Sequence, residues 1–289
     1  MKELAVISGK GGTGKTTIVA SFAALAQGAV LADCDVDAAD LHLILDPHVE
    51  EEADFEGGLE ALIDNDICTE CSECIELCRF DAIDDRFRVN PFLCEGCGVC
   101  ADNCPEGAVR LERQIAGRWF VSKMRFGPMV HARLGVAQET SGKLVTYVRK
   151  RAKEIAEEQG MGLVIVDGSP GIGCPVIASL TGNDAVLVVT EPTQSGLHDL
   201  VRVLDLTRHF NIVTAVCVNK YDLNPQMADS IQVLCEDRDV VWAGTIPYDD
   251  SVTAAMIARK SVVEFDRGPS AESLGQVWMK INKILNGGL

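Results

Sequence analysis

The sequence predicts an α/β fold, a mostly parallel sheet wrapped by helices, with a small α+β module inserted into it. Three observations support this prediction. Short continuous apolar runs recur along the chain, each followed by loop residues and a helical pattern, as is typical of parallel strands buried on both faces. A glycine-rich loop joins the first apolar run to the first helical segment. Between residues 64 and 112 this rhythm stops, and the chain becomes rich in cysteine and acidic residues.

The apolar runs give the expected positions of the strands. Residues 4–7 form the first run, and residues 15–27 then carry apolar side chains at helical spacing. Later runs occupy residues 29–32, 163–166, 185–189 and 213–218. Residues 114–140 show no clear periodicity, and we expect them to be the connection that returns the chain from the inserted module. The helical spacing of residues 278–285 predicts a final helix docked on the domain.

Composition and charge exclude several classes of function. The 289 residues carry a formal net charge of −17, which disfavours nucleic acid and anionic membranes as partners. The chain has no run of 18 apolar residues and no signal-peptide pattern, so we expect a cytoplasmic protein without a membrane partner. Because that compartment keeps thiols reduced, the twelve cysteines indicate metal or redox chemistry instead of disulfides.

The glycine loop GKGGTGKTT at residues 9–17 is a Walker A motif, or P-loop, between a predicted strand and a predicted helix. Backbone N–H groups in such a loop point at phosphate, and the helix N-terminus adds partial positive charge. We expect Lys15 to reach the β- and γ-phosphates of a nucleotide and the Thr16 hydroxyl to ligate Mg²⁺. The predicted phosphate-binding residues are Gly11, Gly12, Thr13, Gly14, Lys15, Thr16 and Thr17.

Carboxylates follow two of the predicted strands, at the end where an open α/β sheet binds its ligands. After the second run come Asp33, Asp35, Asp37 and Asp40. At least one of Asp33, Asp37 and Asp40 is expected to be only a helix cap. Asp167 ends a later run, matches the Walker B pattern, and is expected to hold Mg²⁺ through water. The glycines that follow it, Gly168 and Gly171, predict a loop able to move with the γ-phosphate.

The sequence NKYD at residues 219–222 follows another strand and predicts a loop that recognises the nucleotide base. In GTPases an NKxD sequence recognises guanine, so this loop alone does not decide between a guanine and an adenine nucleotide. Pro247 and Tyr248 are expected to flank the base, with a plain turn as the alternative.

The second lysine, Lys10, makes the motif a deviant Walker A, and here the chain resembles the MinD/ParA superfamily of ATPases, which includes the nitrogenase iron protein. The resemblance implies ATP hydrolysis in an ATP-dependent homodimer, with Lys10 contacting the ATP of the other subunit. The sequence leaves a heterodimer with a paralogue open as the alternative. It also implies that Asp35 orients the attacking water and that Asn219 contacts adenine, which favours ATP over GTP. The predicted catalytic residues are Lys10, Lys15, Asp35 and Asp167.

Eight cysteines lie in two similar segments, 68–83 and 94–109, that repeat after 26 residues. Their spacing, Cys-x₂-Cys-x₂-Cys-x₃-Cys, is that of two-cluster bacterial ferredoxins, in which the fourth cysteine of each segment ligates the other cluster. Zinc explains this spacing poorly. Arg79 stands where the first segment would often have proline. The predicted ligand sets of two [4Fe–4S] clusters are Cys68, Cys71, Cys74 and Cys104, and Cys94, Cys97, Cys100 and Cys78.

Four cysteines remain outside these segments. Cys34, Cys217 and Cys235 lie in or beside apolar stretches and are expected to be small core residues. Cys174 follows Asp167 at the position of a cluster-bridging cysteine in the nitrogenase iron protein. That protein needs a second cysteine upstream, which this chain lacks, so we expect no bridging cluster.

Taken together, the motifs resemble the family of MinD-like P-loop ATPases that contain an inserted ferredoxin domain. The resemblance implies an ATPase domain formed by residues 1–62 and 114–289 and a ferredoxin-like domain at 63–113. Residues 125–128 (RFGP) and His131 also match stretches of that family, without a predicted role. The leading hypothesis is ATP-gated electron transfer to a redox partner protein. The alternatives are an ATP-dependent carrier that passes iron–sulfur or other metal clusters to an acceptor, and a positioning ATPase whose clusters sense redox state.

Overall fold

The computed structural model describes residues 1–135 and 141–288, which form two compact units. The first unit consists of Met1–Glu52, Trp119–Arg133 and residues 141–288. The second unit consists of Ala53–Arg118, Leu134 and Gly135. It includes the whole of the cysteine-rich segment 63–113. Residues 136–140 of the predicted return connection lie outside the described residues.

The described residues contain one sheet of nine strands. The strands are β1 Lys2–Ser8, β2 Val30–Asp33, β3 His48–Ile63, β4 Val109–Met124, β5 Gly127–Leu134, β6 Leu163–Pro170, β7 Ala185–Thr190, β8 Val213–Asn219 and β9 Val241–Ile246. Their order across the sheet is β3-β4-β5-β2-β6-β1-β7-β8-β9. The pairs that join β5 through to β9 in this order are all parallel. The predicted α/β fold with a mostly parallel sheet is confirmed.

The helices of the described residues connect and cover these strands. They are α1 Lys15–Ala26, α2 Leu41–Leu45, α3 Glu73–Glu76, α4 Val99–Asp102, α5 Ser141–Glu158, α6 Cys174–Leu180, α7 Gln194–His209, α8 Pro225–Asp237, α9 Ser251–Ile257, α10 Val262–Phe265 and α11 Pro269–Leu285. The final helix packs on α1, where the rings of Phe22 and Trp278 lie 5.0 Å apart. Within the described residues, no helix combines the length and the apolar character needed to span a membrane.

The centre of the sheet is fully buried. The four residues Leu4 to Ile7 of β1 and the three from Val164 to Val166 of β6 have no exposed surface. Because helices cover both faces, these central stretches are apolar at every position instead of at alternate ones. Cys34, Cys217 and Cys235 are buried in the same way, as predicted for core residues. In a parallel sheet of this kind the carboxyl ends of the strands meet at one edge, which gathers the loops that follow them.

The segment that follows the cysteines contains strands that the sequence analysis did not identify. Residues 114–140 are expected to return the chain from the inserted module, and their described part lies mainly in β4 and β5. β5 pairs in parallel with β2 and places His131 opposite Asp33. The strands escape sequence analysis because the buried positions of β4 neither alternate strictly nor run continuously.

Candidate nucleotide site and cysteine cavities

The glycine loop between β1 and α1 requires glycine at two positions. Gly12 and Gly14 have φ angles of 79° and 92°, in the left-handed region that a side chain with a Cβ rarely adopts. A Cβ on Gly14 would also collide with the side-chain amide of Asn219. That amide donates a hydrogen bond to the Thr13 carbonyl at 2.8 Å. The loop after β8 therefore supports the shape of the glycine loop.

The glycine loop forms one wall of an open cavity of about 620 Å³ in the first unit. Nearly all the predicted nucleotide-binding residues line it, namely Gly11, Gly12, Gly14, Lys15, Thr16, Thr17, Asn219 and Pro247, together with Asp35 and Tyr248. Thr13 is buried beneath the loop, and its hydroxyl has no hydrogen-bond partner among the described residues. The sequence motifs, though far apart in the chain, therefore converge at the carboxyl edge of the sheet.

Two buried carboxylates lie side by side at the carboxyl ends of β2 and β6. Asp33 and Asp167 are opposite one another on β2 and β6. Among the described residues, both oxygens of Asp167 and Oδ2 of Asp33 are buried without a hydrogen-bond partner. Burial raises the pKa of both groups, while Lys15 and the Thr16 hydroxyl, close to Asp167, lower the pKa of that carboxyl. Because buried carboxylates normally pair with a cation, these orphaned oxygens fit the Mg²⁺ of a bound nucleotide.

The other carboxylates of the acidic loop stand closer to solvent. Oδ2 of Asp35 lies 4.0 Å from Nζ of Lys15. Burial raises the pKa of Asp35, and the Lys15 charge lowers it. Asp37 and Asp40 also line the cavity. Asp40 occupies the N-cap position of α2, but its side chain makes no capping hydrogen bond.

Lys10 does not line the cavity but is held by the loop that follows β7. Its Nζ lies 3.3 Å from a carboxylate oxygen of Glu191 and 3.3 Å from the hydroxyl of Ser195. The other oxygen of Glu191 binds Nζ of Lys220 at 2.6 Å. Glu191 therefore joins the deviant lysine to the NKYD loop. Sequence analysis missed this residue, although its position directly after a buried parallel strand is the signal that identifies Asp33 and Asp167.

Asp222, the last residue of the NKYD loop, forms a hydrogen bond to the segment after β9. Oδ1 of Asp222 accepts a hydrogen bond from the backbone N–H of Tyr248 at 2.7 Å. It thereby ties the NKYD loop to the segment that contains Pro247, and both segments line the same cavity. The predicted base-recognition residues Asn219 and Pro247 are thus held on neighbouring loops.

In the second unit the eight cysteines of the two segments line two separate cavities. Cavity A is lined by Cys68, Cys71, Cys74 and Cys104. Cavity B is lined by Cys78, Cys94, Cys97 and Cys100. Each cavity thus combines three cysteines of one segment with the fourth cysteine of the other. Among the described residues, no three His, Cys, Asp or Glu side chains are grouped as ligands of one metal ion.

Backbone N–H groups point at sulfur in both cavities. In cavity A, Cys68 accepts from Glu70 at 3.4 Å and Cys104 accepts from Ala108 at 3.2 Å. In cavity B, Cys78 accepts from Ala82 at 3.4 Å and Cys94 accepts from Ala61 at 3.5 Å. Hydrogen bonds to sulfur stabilise thiolates and tune iron–sulfur clusters. Both donor sets therefore fit a [4Fe–4S] cluster.

Comparison with known proteins places the nucleotide site in a family. Residues 4–262 match the model of the CobQ/CobB/MinD/ParA nucleotide binding domain. The chain belongs to this family. The match includes the glycine loop, the acidic loop and the NKYD loop, and it identifies the protein as a nucleotide-binding protein of the MinD/ParA type.

Members and structural neighbours of the family align with nearly the whole chain. The uncharacterized protein MJ0578 of Methanocaldococcus jannaschii is 32% identical over 287 residues, which cover 98% of this chain and 97% of that protein. The crystal structure of the cell division ATPase MinD of Pyrococcus furiosus has a TM-score of 0.60 at 17% identity, covering 98% of this chain and 99% of that chain. At this level of identity, the similarity to MinD shows a shared fold and nothing further.

A short segment of the chain is similar in sequence to ferredoxins. The uncharacterized ferredoxin MJ0199 of Methanocaldococcus jannaschii is 41% identical over 56 residues, which cover 17% of this chain and 90% of that ferredoxin. A stretch of this chain therefore has the length and the sequence character of a small ferredoxin.

Proposed function

We propose that this protein is an ATP-hydrolysing iron–sulfur protein in which ATP binding controls electron transfer through two [4Fe–4S] clusters. One observation carries the proposal. The eight cysteines line two cavities, and each cavity takes its fourth cysteine from the other segment. This exchange is the arrangement that a two-cluster ferredoxin needs. The likeness to a ferredoxin supports the same interpretation.

The clusters would be held entirely by the second unit. Cys68, Cys71, Cys74 and Cys104 would bind one cluster, and Cys78, Cys94, Cys97 and Cys100 the other. A bound [4Fe–4S] cluster supplies one-electron redox chemistry. The chain contributes the thiolates, the N–H donors to sulfur, and the walls that limit contact with water. In the domain organisation that we propose, residues 63–113 are a ferredoxin-like insert between two parts of an ATPase domain, 1–62 and 114–289.

The first unit would bind and hydrolyse ATP. Lys15 and the glycine loop would hold the phosphates, while Thr16 and, through water, Asp167 would hold Mg²⁺. Asp35 would orient the attacking water, and Asn219 and Pro247 would contact adenine. These roles follow the resemblance to MinD/ParA ATPases. They are supported by the unpartnered oxygens of Asp167 and by the convergence of these residues on one cavity.

The assembly that we propose is an ATP-dependent dimer, either of two copies or with a paralogue, in the cytoplasm. Lys10 would then leave Glu191 and contact the ATP of the other subunit, where its charge would stabilise the transition state as an arginine finger does. ATP can drive this change only through a higher affinity for the closed dimer. The electron acceptor would be a separate redox protein.

The test is stopped-flow kinetics on protein purified without oxygen and containing about eight irons, as two [4Fe–4S] clusters require. Reduced protein is mixed with a one-electron viologen acceptor, with and without Mg-ATP. We expect the rate of reoxidation to change several-fold with ATP in the wild type and to stay constant in Lys15→Ala. Equal wild-type rates would remove the proposal of ATP gating. Loss of clusters to an added apo-ferredoxin would favour the carrier alternative.

A further inference from the structure

The two cysteine cavities have unequal electrostatic surroundings. The acidic residues Glu73 and Glu106, both exposed, are among those that line cavity A. Among the described residues, the acidic residue that lines cavity B is Glu95. A negative charge beside an iron–sulfur cluster stabilises the oxidised form, because reduction adds further negative charge.

The surrounding sequence adds to this difference. Within four residues of the cavity A cysteines every charged residue is acidic, namely Asp64, Asp66, Glu70, Glu73, Glu76, Asp102 and Glu106. Within four residues of the cavity B cysteines the charged residues are Glu76, Asp81, Glu95, Asp102 and the basic Arg79. Arg79 directly follows Cys78, and the equivalent residue after Cys104 is the uncharged Pro105. The local charge is therefore more negative around cavity A.

The other determinants of cluster potential do not offset this difference. Among the described residues, backbone N–H···S hydrogen bonds have lengths of 3.2–3.4 Å in cavity A and 3.4–3.5 Å in cavity B. Each cavity also has one exposed cysteine, Cys71 in cavity A and Cys97 in cavity B. The hydrogen-bond distances differ by at most 0.3 Å between the cavities, and the burial of Cys74 in cavity A acts in the same direction as the charge, so net charge sets the order of the two potentials.

The two ligand sets are close enough for an electron to pass between them. Cys74, of cavity A, lies in α3, and Cys78, of cavity B, follows the end of that helix. The N–H of Cys78 donates to the Ile75 carbonyl at 3.2 Å, so the helical winding continues between the two cysteines. Four residues of helix advance the chain by about 6 Å.

We propose that the cluster held by cavity A has the lower reduction potential, so that electrons pass from cavity A to cavity B and leave the protein from cavity B. The transfer would move one electron from the ligand set of cavity A to that of cavity B, with no bond or proton exchanged. A low-potential one-electron donor supplies the electron. The inference rests on the proposed function, because it requires both clusters to be bound.

The test is a redox titration of the intact protein, prepared without oxygen and followed by electron paramagnetic resonance. We expect two separate one-electron steps in the wild type. Glu73→Gln combined with Glu106→Gln should move the lower step to higher potential and leave the upper step unchanged. Arg79→Gln should move the upper step to lower potential. Glu157→Gln removes an exposed carboxylate from α5 in the first unit and should move neither step.

The outcomes separate this inference from the proposed function. A shift of the upper step in the Glu73→Gln, Glu106→Gln variant would reverse the order and overturn the inference, as would two coincident steps in the wild type. Iron and sulfide contents are measured on every sample. Protein that takes up no clusters would instead overturn the proposed function itself.

Discussion

At the scale of single residues, the candidate nucleotide site contains a buried carboxyl group, that of Asp167, whose ionisation lowers the stability of the fold. Asp167 is buried, and neither of its oxygens has a hydrogen-bond partner among the described residues. Such a group is expensive unless a cation neutralises it. We therefore expect the folded protein to gain stability when Mg²⁺ and nucleotide bind.

Replacing Asp167 by Asn tests how much the buried carboxylate lowers the free energy of unfolding. Burial raises the pKa of Asp167, so the folded state binds more protons than the unfolded state, and stability falls as pH rises from about 4 towards the raised pKa. Without ligand, we expect Asp167→Asn to stabilise the protein at pH 7–8 by about 1–3 kcal/mol, with the gain shrinking towards pH 4. Thermal unfolding across this pH range measures the effect. Mg-ATP should then stabilise the wild type and not the variant; a destabilised ligand-free variant would contradict the argument.

Substitutions at the two lysines of the glycine loop should affect different steps, ATP binding for Lys15 and ATP hydrolysis for Lys10. Lys15 lines the cavity, whereas Lys10 is held by Glu191 outside it. We expect Lys15→Ala to weaken ATP binding by roughly 10- to 100-fold, the loss of one charge-assisted hydrogen bond. Lys10→Ala should bind ATP within about threefold of the wild type, well under 1.4 kcal/mol, but lose hydrolysis. Titration calorimetry and phosphate release measure these effects, and equal loss of affinity in both variants would contradict the assignment.

At the scale of elements, sequence analysis succeeds where one periodicity covers a whole element. β1, β6 and β7 are found because the centre of each is buried on both faces and is therefore a continuous apolar run. β4 is missed because its residues are divided between the two units and their burial follows no single period. The contacts of Glu191 could not be predicted for a different reason. They join loops that are distant in sequence and meet only when the parallel strands align.

The strand pair β4 and β5 gives His131 a structural environment that its motif did not suggest. The His131 ring stacks on Phe120, with centroids 4.8 Å apart, and its Nε2 lies 2.9 Å from the Ser122 hydroxyl. Burial, followed by the positive charges of His42 and Arg133, lowers the pKa of His131 to about 4. The folded state therefore holds this ring neutral at a pH where the unfolded chain would protonate it.

This histidine should make the first unit sensitive to acid. Between about pH 6.5 and pH 4, His131 is protonated in the unfolded state and neutral in the folded state. The free energy of unfolding therefore decreases as the pH falls through this range. We expect His131→Gln, which can still meet the Ser122 hydroxyl, to remove up to about 3 kcal/mol of that loss. Urea unfolding at pH 7 and pH 4.5 measures it. His198→Gln, at an exposed histidine, is the control and should keep the wild-type pH slope; an unchanged slope in His131→Gln would contradict the prediction.

At the scale of the whole molecule, the two units have different sources of stability. The first unit has a large sheet buried between helices. The second has a small core, in which most of the buried apolar residues are alanines, with Ile83 and Val109 as the largest. A core of this size rarely supports a fold without disulfides or metal. Bound clusters would therefore supply much of the stability of the second unit.

Removing iron should unfold the second unit and leave the first intact. After treatment with a chelator, we expect amide protons of residues 64–112 to exchange with solvent within seconds, while β1, β6 and β7 keep their protection and ATP still binds. Hydrogen exchange read by mass spectrometry measures both units in one sample. Cys71→Ser, in cavity A, should reproduce part of the effect, whereas Cys174→Ser, outside both cavities, should have none. Protection that persists in 64–112 without iron would mean that the small core suffices, and that the clusters serve electron transfer without stabilising the fold.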